Sequence, residues 1–148
     1  MTAADGSYSA RLPGGESRSI QVASQGGTTF APAVAQVDVI APARVTARAR
    51  KPRVRNGRSV FISGRVKGPL PPGGVLVALE VREPGRWIPV ATTRRWVRTR
   101  PSGTFTLSYR FLRTFRAATY RFRVVADEDS AFTYSRGASR AIDVRVKP

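Results

Sequence analysis

The chain has no cysteine and no histidine in 148 residues, and the two absences exclude several chemistries at once. Without thiols there is no disulfide, no thiolate nucleophile and no cysteine metal ligand. Without imidazole there is no Ser/His/Asp triad and no histidine-bound metal, which leaves carboxylates as the general acid or base of any catalytic reading. No apolar run approaches the roughly 20 residues that cross a bilayer as a helix. The opening residues MTAAD carry neither the basic nor the apolar region of a signal peptide, so an export signal, if there is one, is expected to lie elsewhere. Helical periodicity is missing too. No stretch keeps an apolar stripe at helical spacing over the ten or so residues a helix needs.

Acid is scarce: nine Asp and Glu stand against 26 Lys and Arg, a formal net charge of +17. The scarcity is uneven. Residues 1–43 hold two basic and three acidic residues (net −1), so residues 44–148 hold 24 basic against six acidic (net +18), which suggests two unlike segments. All the basic residues except Lys51, Lys67 and Lys147 are arginine. That preference fits recognition of phosphate or carboxylate by a planar guanidinium, and it equally fits the codon bias of a GC-rich genome.

What is present is period-two alternation. Strands are expected at 44–50, 59–66, 75–83, 87–93, 104–111, 119–126 and 140–146, joined by turn sequences such as RNGR, KGPLPPGG, EPGR, PSG and SRGAS. Seven strands in about 105 residues match the economy of an antiparallel immunoglobulin-like β-sandwich. The stretch SYRFLRTFRAATYRFRV (108–124) mixes aromatics with arginines, which is also the composition of a single-strand nucleic-acid binder. Alternation separates the two kinds. Phe105, Leu107, Tyr109 and Phe111 fall on one face and Arg110 on the other, and Tyr120 and Phe122 oppose Arg121 and Arg123. Burying each aromatic is worth on the order of 2 kcal/mol or more, so the aromatics are expected inside and the arginines outside. Specific nucleic-acid recognition is therefore not expected.

The chain also repeats itself. ADGSYSARL (4–12) resembles PSGTFTLSY (101–109), RSIQVA (18–23) resembles YRFRVV (120–125), and FAPAVAQVDVIA (30–41) resembles YSRGASRAIDVRV (134–146), in the same order. The expected organisation is a three-strand partial repeat at 1–43, corresponding to the C-terminal half of a domain, then a complete sandwich at 44–148. Three strands with an open apolar face are not stable alone, so 1–43 is expected to pack on a neighbouring repeat or pair with a second chain.

Two stretches carry a family resemblance. TAADGSYSARLPGG (2–15) and ISGRVKGPLPPGGVLVALEV (62–81) resemble carboxypeptidase-regulatory-like domains, a transthyretin-type β-sandwich family. PGRWIPVATT, TYRFRV and YSRGASRAIDVRV are similar to Ig-like repeats of secreted or surface-anchored actinobacterial proteins. The resemblance implies a non-enzymatic structural or adhesion module of an exported or cell-envelope protein, with no cofactor. ATYRF (118–122) resembles the tyrosine corner of Ig domains, which implies that the Tyr120 hydroxyl bonds backbone at that corner.

The remaining candidates are few. Glu80 and Glu83 lie three apart, on opposite faces of a strand rather than together as a glycosidase pair, and read as solvated edge charges. DEDS (127–130) reads as a solvated loop that offsets nearby positive charge, because a calcium site needs six to eight oxygens. PLPP (69–72) reads as a loop between strands. Trp87 and Trp96 are expected in the core, with a cation-π contact to the arginines around it as the alternative for Trp96. The candidate anion contacts are Arg44, Arg48, Arg50, Arg94, Arg95, Arg98 and Arg100. They carry the alternative function, a basic domain binding acidic polysaccharide, lipid headgroups or nucleic acid.

Overall fold

The computed structural model describes residues 7–28, 31–90 and 96–148, and among these the chain is all-β, with no helix. Twelve strands follow one another: β1 (Arg18–Ser24), β2 (Ala33–Val39), β3 (Arg44–Ala49), β4 (Arg53–Arg55), β5 (Ser59–Lys67), β6 (Leu76–Glu83), β7 (Arg86–Pro89), β8 (Val97–Arg98), β9 (Thr104–Arg110), β10 (Ala118–Ala126), β11 (Gly137–Ala138) and β12 (Ile142–Lys147). Each of the seven strands expected after residue 43 has a counterpart, although residues 91–93 of the one expected at 87–93 lie outside the described residues. The short strands β4, β8 and β11 were not legible, since two or three residues show no alternation.

Two sheets form after residue 43. The smaller has the order β3-β5-β9, and the larger the order β4-β12-β10-β6-β7, with β11 added on β10 and β8 on β6. All pairings are antiparallel except β4 with β12, which run parallel and place Arg53 beside Arg145 and Arg55 beside Lys147. The chain thus leaves β3 in one sheet and enters the edge of the other within a few residues.

Alternation explains why the two sheets face each other. Val60, Ile62 and Val66 of β5 and Phe105 and Leu107 of β9 are buried, and so are Val77 and Leu79 of β6, Phe122 and Val124 of β10 and Val144 and Val146 of β12; all belong to one continuous core. At one end of that core Tyr109, Phe111, Tyr120 and Phe122 pack ring against ring, with Tyr109 edge-on to Phe111 at 4.9 Å between centroids. The inward placement expected for these aromatics is what the structure shows. Phe115 is the exception, lying in the β9–β10 connection and 78% exposed.

Residues 18–39 form a separate two-stranded ladder. Its register repeats that of β10 and β12: Ile20 faces Val37 as Phe122 faces Ile142, and Ser19 faces Asp38 as Arg121 faces Asp143. The third strand expected in this segment does not form within the described residues 7–12. The reason lies in the pairing. The stretch resembles β9, whose one ladder partner is β5, and residues 1–43 contain no counterpart of β5. Tyr8 and Leu12 are accordingly exposed. The segment meets the sandwich through backbone bonds from Ser17 N to Thr133 O (3.0 Å), Ala43 N to Ser135 O (2.9 Å) and Ser135 N to Ala41 O (3.0 Å).

A candidate anion-binding face on the smaller sheet

With Val45, Ile62, Val66, Phe105 and Leu107 turned inward, the pleat forces their neighbours outward. Two cross-strand rows result. Arg48 faces Ser63 and Ser63 faces Thr106; Thr46 faces Arg65 and Arg65 faces Thr104. The hydroxyls of Ser63 and Thr106 lie 3.2 Å apart, and the Thr46 hydroxyl donates to the Arg65 carbonyl at 3.1 Å. No carboxylate occurs in β3, β5 or β9. The outer face therefore carries Arg44, Arg48, Arg65, Lys67 and Arg110 with nothing acidic among them, plus a half-exposed Phe61.

The segment before β9 completes the face. Thr99 is buried and held to Val75 twice, its N–H donating to the Val75 carbonyl (2.8 Å) and its hydroxyl accepting from the Val75 N–H (3.0 Å). That fixes Arg98 and Arg100 outward on either side. Arg100 opens the turn Arg100-Pro101-Ser102-Gly103, closed by Gly103 N to Arg100 O (2.8 Å) and Arg100 N to Thr104 O (2.9 Å). Gly103 sits at φ +79°, and a side chain there would meet the Val66 carbonyl oxygen at 2.3 Å, so only glycine fits. Ser102 of the same turn accepts from Arg65 Nε at 2.9 Å, orienting that guanidinium along the face. Gly64, the other small residue here, lets the Phe105 ring and the Thr46 carbonyl close over it, at 2.5 and 2.0 Å from where a Cβ would stand.

The result is an open groove of about 800 Å³ lined by Arg48, Arg65, Arg98 and Arg100 together with Ser63 and Thr106. Arg48, Arg98 and Arg100 of the sequence candidates thus converge. Arg44 lies on the same face, and Arg50 just beyond β3, with its N–H bonded to the Phe61 carbonyl at 3.0 Å. Arg94 and Arg95 lie outside the described residues. Arg98 is not free: it bonds the Gly74 carbonyl (3.1 Å) and ion-pairs with Asp129 (3.5 Å). Among the described residues Arg48 and Arg100 have no carboxylate partner. Arg65, Lys67 and Arg110 were missed, although the alternation in SVFISGRVK and TFTLSYR already assigns them outward.

The outer face of the larger sheet differs, because there Arg121, Arg123 and Arg136 are paired with carboxylates. Glu80 is buried, contrary to its reading as a solvated edge charge. Its carboxylate accepts from Arg123 Nε (2.7 Å) and from Arg136 (2.7 Å), with its side chain only 4% exposed. Trp87 is not in the core either. The β6–β7 register sets it opposite Arg82, on the outer face, where the Arg123 guanidinium lies 4.5 Å and that of Arg82 5.5 Å from its ring; Val90 fills the inward position instead. Trp96 is half-buried and outside the core set. In DEDS, Asp129 pairs with Arg98 and accepts from Ala131 N, and Glu128 accepts from Arg136 N. Among the described residues no group of carboxylates is placed to hold a metal ion.

Two further residues locate the strand ends. Tyr120 shares a hydrogen bond of 3.0 Å with the Thr114 hydroxyl, a side chain rather than the backbone group expected, and the Thr114 N–H donates to Asn56 Oδ1. On β10 and β12, Arg121 grips both oxygens of Asp143 (2.8 and 3.2 Å). That hydrogen bond, helped by the charges of Arg121 and Arg145, holds the Asp143 carboxyl below its ordinary value, and the same bond with the Asp143 charge holds the Arg121 guanidinium above its own.

No family model matches the chain, and no curated protein sequence matches it. Solved structures resemble it only weakly. A chain from the structure described as the basis of T cell specificity and activation by the bacterial superantigen toxic shock syndrome toxin-1 is 16% identical, with a TM-score of 0.44, and covers 70% of this chain and 98% of its own length. The soluble domain of PmoD from Methylocystis is 14% identical, with a TM-score of 0.35, covering 70% of this chain and 90% of that one.

Proposed function

We propose that this chain is a non-enzymatic Ig-like adhesion module of an exported or cell-envelope protein, and that its adhesive surface is the outer face of the β3-β5-β9 sheet. The Ig-like reading is supported by strand order. Strands β3, β5 and β9 stand as A, B and E, and β12, β10 and β6 as G, F and C. The parallel edge strand β4 fits the same scheme as the first strand's crossing to the second sheet. Division of the chain at residue 43 is part of this proposal, supported by the register shared between β1–β2 and β10–β12. A neighbouring Ig-like repeat, or a second chain, covers the apolar side of the β1–β2 ladder.

The observation that carries the adhesive role is the acid-free face itself. Like charges that are left uncompensated on a folded surface disfavour the compact state, and of the five ion pairs among the described residues only that of Arg98 with Asp129 touches the groove, the other four lying away from the face at Arg86, Arg121, Arg123 and Arg136. Oriented guanidinium groups alternating with hydroxyls suit the carboxylates and sulfates of an acidic polysaccharide, where each cation offers paired donors and each hydroxyl accepts or donates. The test is binding of heparin and of polyuronate by the full chain and by a triple variant, Arg48→Ser with Arg65→Ser and Arg100→Ser. Adhesion predicts binding near physiological salt that the triple variant loses; a pure spacer predicts equal, weak binding that vanishes for both as salt rises.

A further inference from the structure

The β9–β10 connection, residues 111–117, is held in place at two positions three apart and bare at the others. Phe111 is buried, its N–H bonded to the Arg58 carbonyl and its carbonyl accepting from Gly57 N. Thr114 is buried, tied to Asn56 by its N–H and to Tyr120 by its hydroxyl. Between and beyond these two anchors the chain turns outward twice, each time presenting an apolar side chain with an arginine next to it: Leu112 with Arg113, then Phe115 with Arg116. Leu112 is 63% and Phe115 78% exposed, and Phe115 is the most exposed large apolar residue among those described.

Such exposure of two large apolar side chains is unfavourable in water. The surroundings say what the pair faces. Arg55, Arg58 and Arg110 are exposed at this same end, with Arg110 Nε bonded to the Gly57 carbonyl, and the parallel edge adds Arg145 and Lys147 along a basic groove of about 540 Å³. Neither 53–58 nor 110–118 contains an acidic residue. Two protruding apolar side chains inside a collar of cations is the arrangement that suits a lipid surface bearing anionic headgroups: the apolar pair enters the acyl boundary while the guanidinium groups stay at the phosphates.

We infer that the 111–117 connection is a membrane-contact loop for anionic lipid, with Leu112 and Phe115 as the inserting side chains and Arg113 and Arg116 as the headgroup contacts. Arg110 adjoins both surfaces, but none of residues 110–117 lines the β3-β5-β9 groove, and the inference does not depend on that groove's polysaccharide role.

The full chain is sedimented with vesicles of phosphatidylcholine containing about 30% phosphatidylglycerol, and with phosphatidylcholine alone, at about 0.15 M salt. Binding is expected to the anionic vesicles only, and Leu112→Ser with Phe115→Ser should weaken it about tenfold or more while heparin retention is unchanged. In parallel, Phe115→Trp should gain emission, relative to the parent with its Trp87 and Trp96, that shifts blue on vesicles and is quenched by brominated acyl chains. The inference is overturned if vesicle binding is absent, if it survives the double substitution, if the Phe115→Trp emission is not quenched, or if the double substitution removes heparin binding equally, which would make the loop part of a polysaccharide site.

Discussion

Replacing Glu80 by glutamine keeps its shape and removes its charge, and the structure says what that should cost. Glu80 faces Arg123 directly across the β6–β10 ladder and holds both Arg123 and Arg136 at 2.7 Å. A hydrogen bond to a charged group contributes roughly 1.5–3 kcal/mol, so two set an upper range of about 3–6 kcal/mol. Two effects reduce it. The buried carboxylate no longer has to be stripped of water, and Arg136, about half exposed, regains hydration when released. Arg123 cannot follow so easily, since it is 28% exposed and rests on Trp87. The net expectation is a loss of about 2 kcal/mol for Glu80→Gln, or a melting temperature lower by about 6–8 °C for a chain of this size. Thermal unfolding followed by circular dichroism at neutral pH measures it. Glu83→Gln is the internal comparison, because Glu83 lies 3.9 Å from Arg86 with both side chains exposed, and such a pair is worth less than about 1 kcal/mol. If the two substitutions shift the transition equally, the reasoning about buried charge at Glu80 is refuted.

Three further outcomes follow from the same contacts. Tyr120→Phe should cost about 1 kcal/mol by unpairing the buried Thr114 hydroxyl, and a Tyr120→Phe/Thr114→Val cycle in urea should show the two losses to be far from additive. Gly64→Ala should destabilise by at least about 2 kcal/mol, because the new methyl group meets the Thr46 carbonyl and the Phe105 ring; an unchanged urea midpoint would show that β3 moves aside freely. For Asp143 the folded-state pKa is lowered, chiefly by its bond to Arg121, so the folded chain holds that proton less tightly than the unfolded chain does. Its contribution is present above the unfolded value of about 4 and disappears as the pH falls through the folded value beneath it. Asp143→Asn should therefore be less stable than the parent near neutral pH and converge with it in acid, as the pH falls through the folded value; curves that stay parallel through the acid range would refute the assignment.

The strands were readable because one face of each is buried, and burial writes a period of two into the sequence, as in Phe105-Thr106-Leu107 or Val144-Arg145-Val146. Parity within a short strand was not readable in the same way. Trp87 and Ile88 are both apolar, and only the pairing of Arg82 with Trp87 decides that the tryptophan points outward. Glu80 shows a different blind spot. Alternation correctly sends it to the outer face, but whether that face is wet depends on Arg123, Arg136 and Trp87 arriving from three other segments. The candidate anion-binding face was half legible: the dense run of basic residues at 44–58 and 94–100 drew attention, while Arg65 and Arg110, each standing alone within a strand, needed the register of β5 and β9 to join the cluster. In the first 43 residues, β1 and β2 formed because they pair with each other, while the stretch at 7–12 resembles β9 and finds among residues 1–43 no counterpart of β5 to pair with as a strand.

The proposed adhesive role of the smaller sheet is tested most directly by the salt dependence of heparin binding, measured for the parent chain and for the variant carrying Arg48→Ser, Arg65→Ser and Arg100→Ser. If these three guanidinium groups contact the polymer, the slope of log affinity against log salt should become shallower by about three in the variant, with a loss of affinity that persists near physiological salt. Identical slopes in the two proteins would contradict the assignment of the β3-β5-β9 face as the adhesive surface.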